Sequence, residues 1–144
     1  MLIIMSTKNK IKHKQTRKNL NNNNRNNIVK TFLEMLNCVK LYHWNTKSYS
    51  QHIATDDLYD DLNKYIDEFV EIMLGKTKQR ISSIHLKSCN CTSKNKFLKE
   101  IKAFKMYLIN LNKFLNPICD TNLINIRDEL LGTLDKLLYL FELK

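Results

Sequence analysis

The chain has 144 residues, which predicts a single domain. Only two Gly and one Pro accompany 43% apolar residues, which argues against a disordered chain and against a β-sandwich or barrel with many turns. The formal net charge is +10, from 24 basic and 14 acidic side chains. No apolar run approaches the roughly 18–20 residues of a membrane span. The apolar start, residues 1–5, lacks the features of a signal peptide, so we expect a soluble intracellular protein, cytoplasmic or nucleoid-associated.

The positive charge is concentrated in the first 27 residues, which carry no acidic side chain. After Met5, their only apolar residues are Ile11 and Leu20. Such a segment buries too little apolar surface to offset its chain entropy, so we predict a disordered basic arm over residues 1–27. The predicted domain, 28–144, holds 17 basic and 14 acidic side chains, a balance of only +3. The basic side chains of the arm are Lys8, Lys10, Lys12, Lys14, Arg17, Lys18 and Arg25.

Apolar residues recur at steps of three and four from Ile28 onward, which predicts helices. Helix A begins there and continues to the polar stretch 45–50, which predicts a turn. Helix B then extends from about Ser50 to Leu74, and Gly75 is placed to follow its last turn. Residues 76–92 are of mixed composition and are compatible with a short crossover helix.

Two further helices follow. The apolar stripe of helix C runs from Phe97 to Leu115, and Pro117 ends it. Asp120 or Thr121 caps helix D, whose stripe continues to the end of the chain. Four amphipathic helices with the longest connection between B and C predict an all-α fold, a ferritin-like four-helix bundle with a B–C crossover.

Four polar residues of helix B carry the functional prediction: His52, Asp56, Asp67 and Glu71. At 100° per residue they occupy one arc of about 100°, which faces away from the apolar stripe. Eleven residues separate Asp56 from Asp67, a rise of about 16 Å, so one metal ion cannot reach both pairs from one helix. A shared site requires the antiparallel helix B of a second subunit, and two-fold symmetry then produces the site twice.

Imidazole and carboxylate ligands suit iron. No Glu-x-x-His pair occurs in the chain, so a di-iron centre inside one bundle is not predicted. Asp67 and Glu71 are like charges one helical turn apart, which favours a cation between them. The alternatives are a satisfied core histidine at His43, a surface pair of His52 with Asp56, and a solvated acidic face.

The pattern of these residues resembles the Dps-type mini-ferritins. It consists of His43-Trp44, then His52 with Asp56-Asp57-Leu58-Tyr59, then Asp67-Glu68 with Glu71. The resemblance covers residues 36–75, and we expect distant viral or phage members of the ferritin-like class as kin. It implies that His43, His52 and Asp56 of one subunit bind iron together with Asp67 and Glu71 of its two-fold mate, and that Trp44 packs beside the metal pair. It also implies a dodecameric shell that oxidises Fe(II) with peroxide and stores ferric mineral.

The cysteines allow a second metal hypothesis. Cys89 and Cys91, with His85 upstream, would form a zinc site only if Cys119 joined them, and this spacing fits no usual zinc pattern. Reduced loop cysteines are the favoured interpretation.

The basic arm supports an alternative function of another class. Seven uncompensated charges that engage a polyanion would give a salt slope of about −6. The alternative is therefore a non-catalytic, virion-associated ferritin-like bundle that binds or condenses nucleic acid through its arm. A Dps-like protein is expected to bind non-specific DNA in the same way. A third interpretation is a purely structural helical oligomer whose arm only improves solubility. Such a protein would neither oxidise iron nor bind nucleic acid.

Overall fold

A computed structural model describes residues 19–143 of the chain, and within that range it contains four α-helices and no strand. This confirms the all-α fold and the four-helix bundle. The helices are α1 (Asn22–Asn45), α2 (Tyr49–Thr77), α3 (Lys94–Asn110) and α4 (Thr121–Glu142), and a single 3-10 turn, Leu111–Lys113, follows α3. Of the helices described, none combines the length and the hydropathy that a membrane crossing requires.

The helices pack around the bundle in the order α1, α2, α4, α3. Tyr42, near the end of α1, stacks on Phe97, near the start of α3, with 4.2 Å between the ring centroids. Lys76, near the end of α2, lies 3.0 Å from the carboxylate of Asp120, which precedes α4. Neighbouring helices therefore run antiparallel, while α2 and α3 run parallel across the diagonal.

The apolar stripes predicted for helices B, C and D are buried at every position between the helices. The predicted stripe of helix A begins at Val29, which is partly exposed, and continues through Phe32, Leu36, Val39 and His43, which are buried. Phe32 of α1 meets Phe69 of α2 edge to face, with 5.3 Å between centroids. Aromatic pairs of this geometry add to the stabilisation from burial alone. Because one stripe of each helix is buried, the polar arc of α2 faces outward.

The start of α1 corrects the predicted boundary of the arm. The helix begins at Asn22, six residues before Ile28, because Asn21 caps it by accepting a hydrogen bond from the Asn24 N–H at 3.0 Å. Arg25 is 2% exposed, and its guanidinium donates to the Leu20 carbonyl at 2.6 Å. Arg25 therefore belongs to the folded domain. The other six basic residues of the arm lie outside the described residues.

The predicted turn between the first two helices is confirmed, and it is short. Only three residues, 46–48, separate α1 from α2, and Ser48 caps α2 by accepting from the Gln51 N–H at 3.4 Å. The predicted end of this helix at Gly75 is wrong. The helix continues to Thr77, and Lys78 adopts the left-handed conformation (φ 54°) that ends it.

The connection from α2 to α3 runs along α1 without forming a helix, so the short crossover helix does not occur. Its contacts with α1 move steadily along that helix from its start towards its end. Gln79 accepts a hydrogen bond from Arg25, the Lys87 N–H donates to Glu34, and Cys91 is bonded to Cys38. The connection therefore returns the chain to the end of the bundle where α2 began. This path allows α3 to run parallel to α2.

A disulfide joins Cys38 of α1 to Cys91 of the crossover, across 53 residues of sequence. This corrects the interpretation of Cys91 as a reduced loop cysteine. It also removes Cys91 as a zinc thiolate, since its sulfur is already bonded. Cys89 and Cys119 are free thiols.

Cys89 should alkylate slowly near neutral pH. Burial raises the pKa of its thiol, and the negative charges of Glu34 and Glu100 raise it further. We expect the midpoint of the rate–pH profile with iodoacetamide to lie above about 8.5, the ordinary value for cysteine. The measurement uses the Cys119→Ser variant and mass spectrometry, and Glu100→Gln should shift the midpoint downward. A midpoint at or below the ordinary value would contradict this assignment.

Candidate metal centre

His43 and His52 meet across the α1–α2 turn and bind each other. Their rings stack with 3.8 Å between centroids. Nδ1 of each ring lies 3.0 Å from the main-chain carbonyl oxygen of the other residue. A carbonyl oxygen can only accept, so in the neutral rings both Nδ1 atoms carry the hydrogen. Both Nε2 atoms are left with lone pairs, which is the form of histidine that binds metals.

Thr55 fixes the orientation of His43, which is 7% exposed. The Thr55 hydroxyl donates its hydrogen to the Gln51 carbonyl at 2.8 Å. Its oxygen can therefore accept a hydrogen bond from the N–H of His43, whose Nδ1 lies 3.3 Å away. Because Thr55 lies on α2, both helices hold the ring. Outer partners of this kind set the tautomer and the direction of a histidine ligand.

Asp56 brings a carboxylate to the histidine pair. Its Oδ1 atom lies 3.7 Å from His43 Nε2 and 3.5 Å from Lys40 Nζ. Two lone pairs that face each other repel unless a proton or a metal ion lies between them. Two metal–ligand bonds of about 2.1 Å span at most about 4.2 Å, so the 3.7 Å separation admits a metal ion. Lys40 supplies the compensating positive charge in this structure, and it also lies 4.4 Å from the centroid of the Tyr59 ring.

Asp67 and Glu71 are exposed on the same outward face of α2, about three and four helical turns from Asp56 respectively. They do not join the histidine cluster within one chain. Among residues 19–143, no three His, Cys, Asp or Glu side chains are arranged to hold a metal ion. A single chain therefore presents the predicted ligands as two separated groups.

Trp44 is 68% exposed at the end of α1. It lines an open groove together with Lys40, Tyr59 and, from the crossover, Lys87. The sequence did not predict the reciprocal histidine bonds or the ion pair between Lys40 and Asp56. The short polar turn between two histidines nine residues apart was the available signal, because so tight a connection brings both rings to one place.

A family model matches residues 43–141, and its description is "Family of unknown function (DUF5856)". The chain belongs to this family. No curated protein and no solved structure matches the chain. The region shared with the DUF5856 family begins at His43. It contains all five candidate ligands, the disulfide-bonded Cys91, the helices α2 and α3, and α4 up to Phe141. Most of α1 and the basic arm lie outside it.

Proposed function

We propose that this protein is a Dps-like mini-ferritin that binds Fe(II) at a site shared by two copies, oxidises it there and stores the ferric product. The observation that carries the proposal is the reciprocal bonding of His43 and His52, which in the neutral rings leaves a lone pair on each Nε2 and places Nε2 of His43 3.7 Å from Asp56 Oδ1. Imidazole nitrogen and carboxylate oxygen together form a ligand set that iron accepts.

The connectivity of the bundle supports a ferritin-like assignment. Ferritin-like bundles contain one long crossover among four helices. Here the crossover runs beside α1, is joined to it by the Cys38–Cys91 disulfide, and leaves α2 parallel to α3.

The position of the acidic pair supports a shared site. Asp67 and Glu71 lie on the same outward face of α2 as His52 and Asp56, about 16 Å along the helix. An antiparallel α2 from a second copy, related by a two-fold axis between Asp56 and Asp67, would bring its acidic pair opposite the histidine cluster. The same axis would complete a second, identical site.

In this proposal the two groups of ligands have different tasks. The histidines, held by their Nδ1 bonds, would fix the position of one iron ion, and the carboxylates would neutralise charge as iron becomes ferric. Two Fe(II) ions each give one electron to hydrogen peroxide, which with two protons becomes two waters. Lys40 would compete with iron for Asp56, because its ammonium lies 3.5 Å from Oδ1, the same oxygen that lies 3.7 Å from His43 Nε2.

Removal of the acidic pair should abolish fast iron oxidation. We expect Asp67→Asn/Glu71→Gln to slow peroxide-dependent Fe(II) oxidation by about 10–100-fold or more, measured by stopped-flow absorbance. The matched control is Asp57→Asn/Asp61→Asn, which removes two carboxylates with the same spacing on the same helix but outside the predicted arc. Equal rates for the two double variants would refute the ferroxidase proposal.

Mixing variants tests whether the site is shared. One variant lacks His52 and Asp56, and the other lacks Asp67 and Glu71, so neither forms a complete site alone. After subunit exchange, a mixed dimer restores one site of its two, and about a quarter of all sites should recover. A mixture no more active than its separate components would show that the two groups do not meet.

A further inference from the structure

An apolar groove lies between the start of α2 and the end of α4. Its walls are Tyr49, Ile53 and Ala54 from one side, and Leu140 and Leu143 from the other. Tyr49 is 80% exposed and Leu143 is 56% exposed. Apolar side chains gathered in this way on a surface mark a place where another segment binds.

An acidic stripe leads away from this groove along α2. At 100° per residue its members lie within about 100° of one another on the helix surface, centred near the direction of Ile53. Lys64, the only basic side chain on α2 between Ile53 and Glu71, lies within the same arc, so the stripe keeps a net negative charge. The stripe consists of Asp57, Asp60, Asp67, Glu68 and Glu71, all of which are exposed.

The segment before α1 enters the fold at the opposite end of this stripe. Arg25 donates to the Leu20 carbonyl and to the side chain of Gln79, which follows the last turn of α2. Residue 19 therefore lies near the C-terminal end of α2. The member of the stripe nearest to that end is Glu71. The groove lies at the other end of the same helix.

Residues 1–18 have the composition and length to follow this path. Their first five residues are apolar, and the rest carry six basic side chains and no acidic one. From Gly75 back to Ile53, α2 rises about 33 Å. The 14 residues from Asn19 back to Met5 reach about 46 Å when extended. An extended segment of this length would bring its basic part over the acidic stripe and its apolar part to the groove.

We propose that residues 1–18 bind along α2 of the same chain, with residues 1–5 in the apolar groove and the basic side chains on the acidic stripe. We name this segment the strap. It crosses Asp67 and Glu71, so a bound strap and a second subunit on this face of α2 would exclude each other. The groove and the acidic stripe are features of the folded chain that require no bound metal. The experiment below is therefore done without metal.

Limited trypsin digestion of the full chain tests the strap. Trypsin cleaves after the basic residues of the strap, and a bound strap is cleaved only when it dissociates. We expect cleavage there to be about tenfold slower in the wild type than in Tyr49→Ser/Ile53→Ser, which removes the groove wall. The matched control, Met106→Ser/Ile118→Ser, replaces two exposed apolar residues elsewhere and should keep the wild-type rate.

A second variant leaves the folded domain unchanged. Ile3→Ser/Ile4→Ser should accelerate cleavage as much as the groove variant, and about 0.5 M NaCl should do so in the wild type by screening the charges. Equal cleavage rates in the wild type and both variants would overturn the proposal. Protection that grows with protein concentration would also overturn it, because a second copy would then be the occupant. Protection seen only when duplex DNA is added would overturn it in favour of a nucleic-acid partner.

Discussion

Replacing both Cys38 and Cys91 by alanine should lower the free energy of unfolding by about 4 kcal/mol, the loop-closure entropy of a disulfide across a loop of this length. Without the disulfide, the unfolded chain gains the conformations that the closed loop forbids. Both side chains are also at most 1% exposed, so their truncation removes packing contacts. Urea denaturation followed by circular dichroism measures the change.

The free cysteines provide the control for this experiment. The double variant Cys89→Ala/Cys119→Ala changes the same number of sulfur atoms at partly exposed positions, and it should cost less than about 1 kcal/mol. The wild type in dithiothreitol should unfold at the lower urea concentration of the Cys38→Ala/Cys91→Ala variant. Indistinguishable midpoints for the oxidised and the reduced wild type would show that the bond does not stabilise the fold.

Asp120→Ala should destabilise the bundle by about 3–5 kcal/mol, the typical penalty for removing one partner of a buried ion pair. Asp120 is fully buried, accepts from the Asn116 N–H at 2.7 Å, and lies 3.0 Å from Lys76 Nζ. Its loss leaves the largely buried ammonium of Lys76 without that carboxylate, where the end of α2 meets the start of α4. Thermal unfolding and urea titration report the change.

Asp135→Ala is the matched control, since it also removes the aspartate of an ion pair with a lysine. Asp135 is exposed and pairs with Lys105 on the surface between α3 and α4. Exposed pairs contribute about 0–1 kcal/mol. If Asp120→Ala were no more destabilising than Asp135→Ala, the burial of Asp120 would not explain its stabilising role.

Periodicity was sufficient to predict the helices and their buried faces, because each helix has a single apolar stripe. The helix ends were less predictable. Gly75 lies where a helix often stops, yet the helix continues past it. Lys76 makes a tertiary contact with Asp120, and within the last turn the Thr77 hydroxyl donates to the Met73 carbonyl. The run Asn21–Asn24 was interpreted as disorder by composition, and one of its members instead caps α1.

The disulfide was beyond sequence reasoning for a different reason. Four cysteines give no unique pairing, and Cys38 lies inside a helix while Cys91 lies in a connection without regular structure. Their contact depends on the path of the crossover, which has no periodic signal. A disulfide is typical of oxidising compartments, which is at odds with the reducing intracellular environment that we expected from the sequence.

For the candidate site, the sequence predicted which face of α2 is polar but not how the histidines are bonded. The angular arc of His52 and Asp56 follows from helix geometry alone. The bond from His43 Nδ1 to the His52 carbonyl depends on the three-residue turn and on Thr55, neither of which has a ligand-like pattern. The sharing of the site between subunits remains a prediction.

The Cys38–Cys91 bond closes a covalent ring that contains the last turns of α1, the α1–α2 turn, all of α2 and most of the crossover. Every candidate ligand lies inside this ring. One peptide-bond cut anywhere within it leaves the two fragments linked through sulfur, so a nicked chain should migrate as a single species on a non-reducing gel and as two on a reducing one. A nick in the strap lies outside the ring and releases its fragment under both conditions.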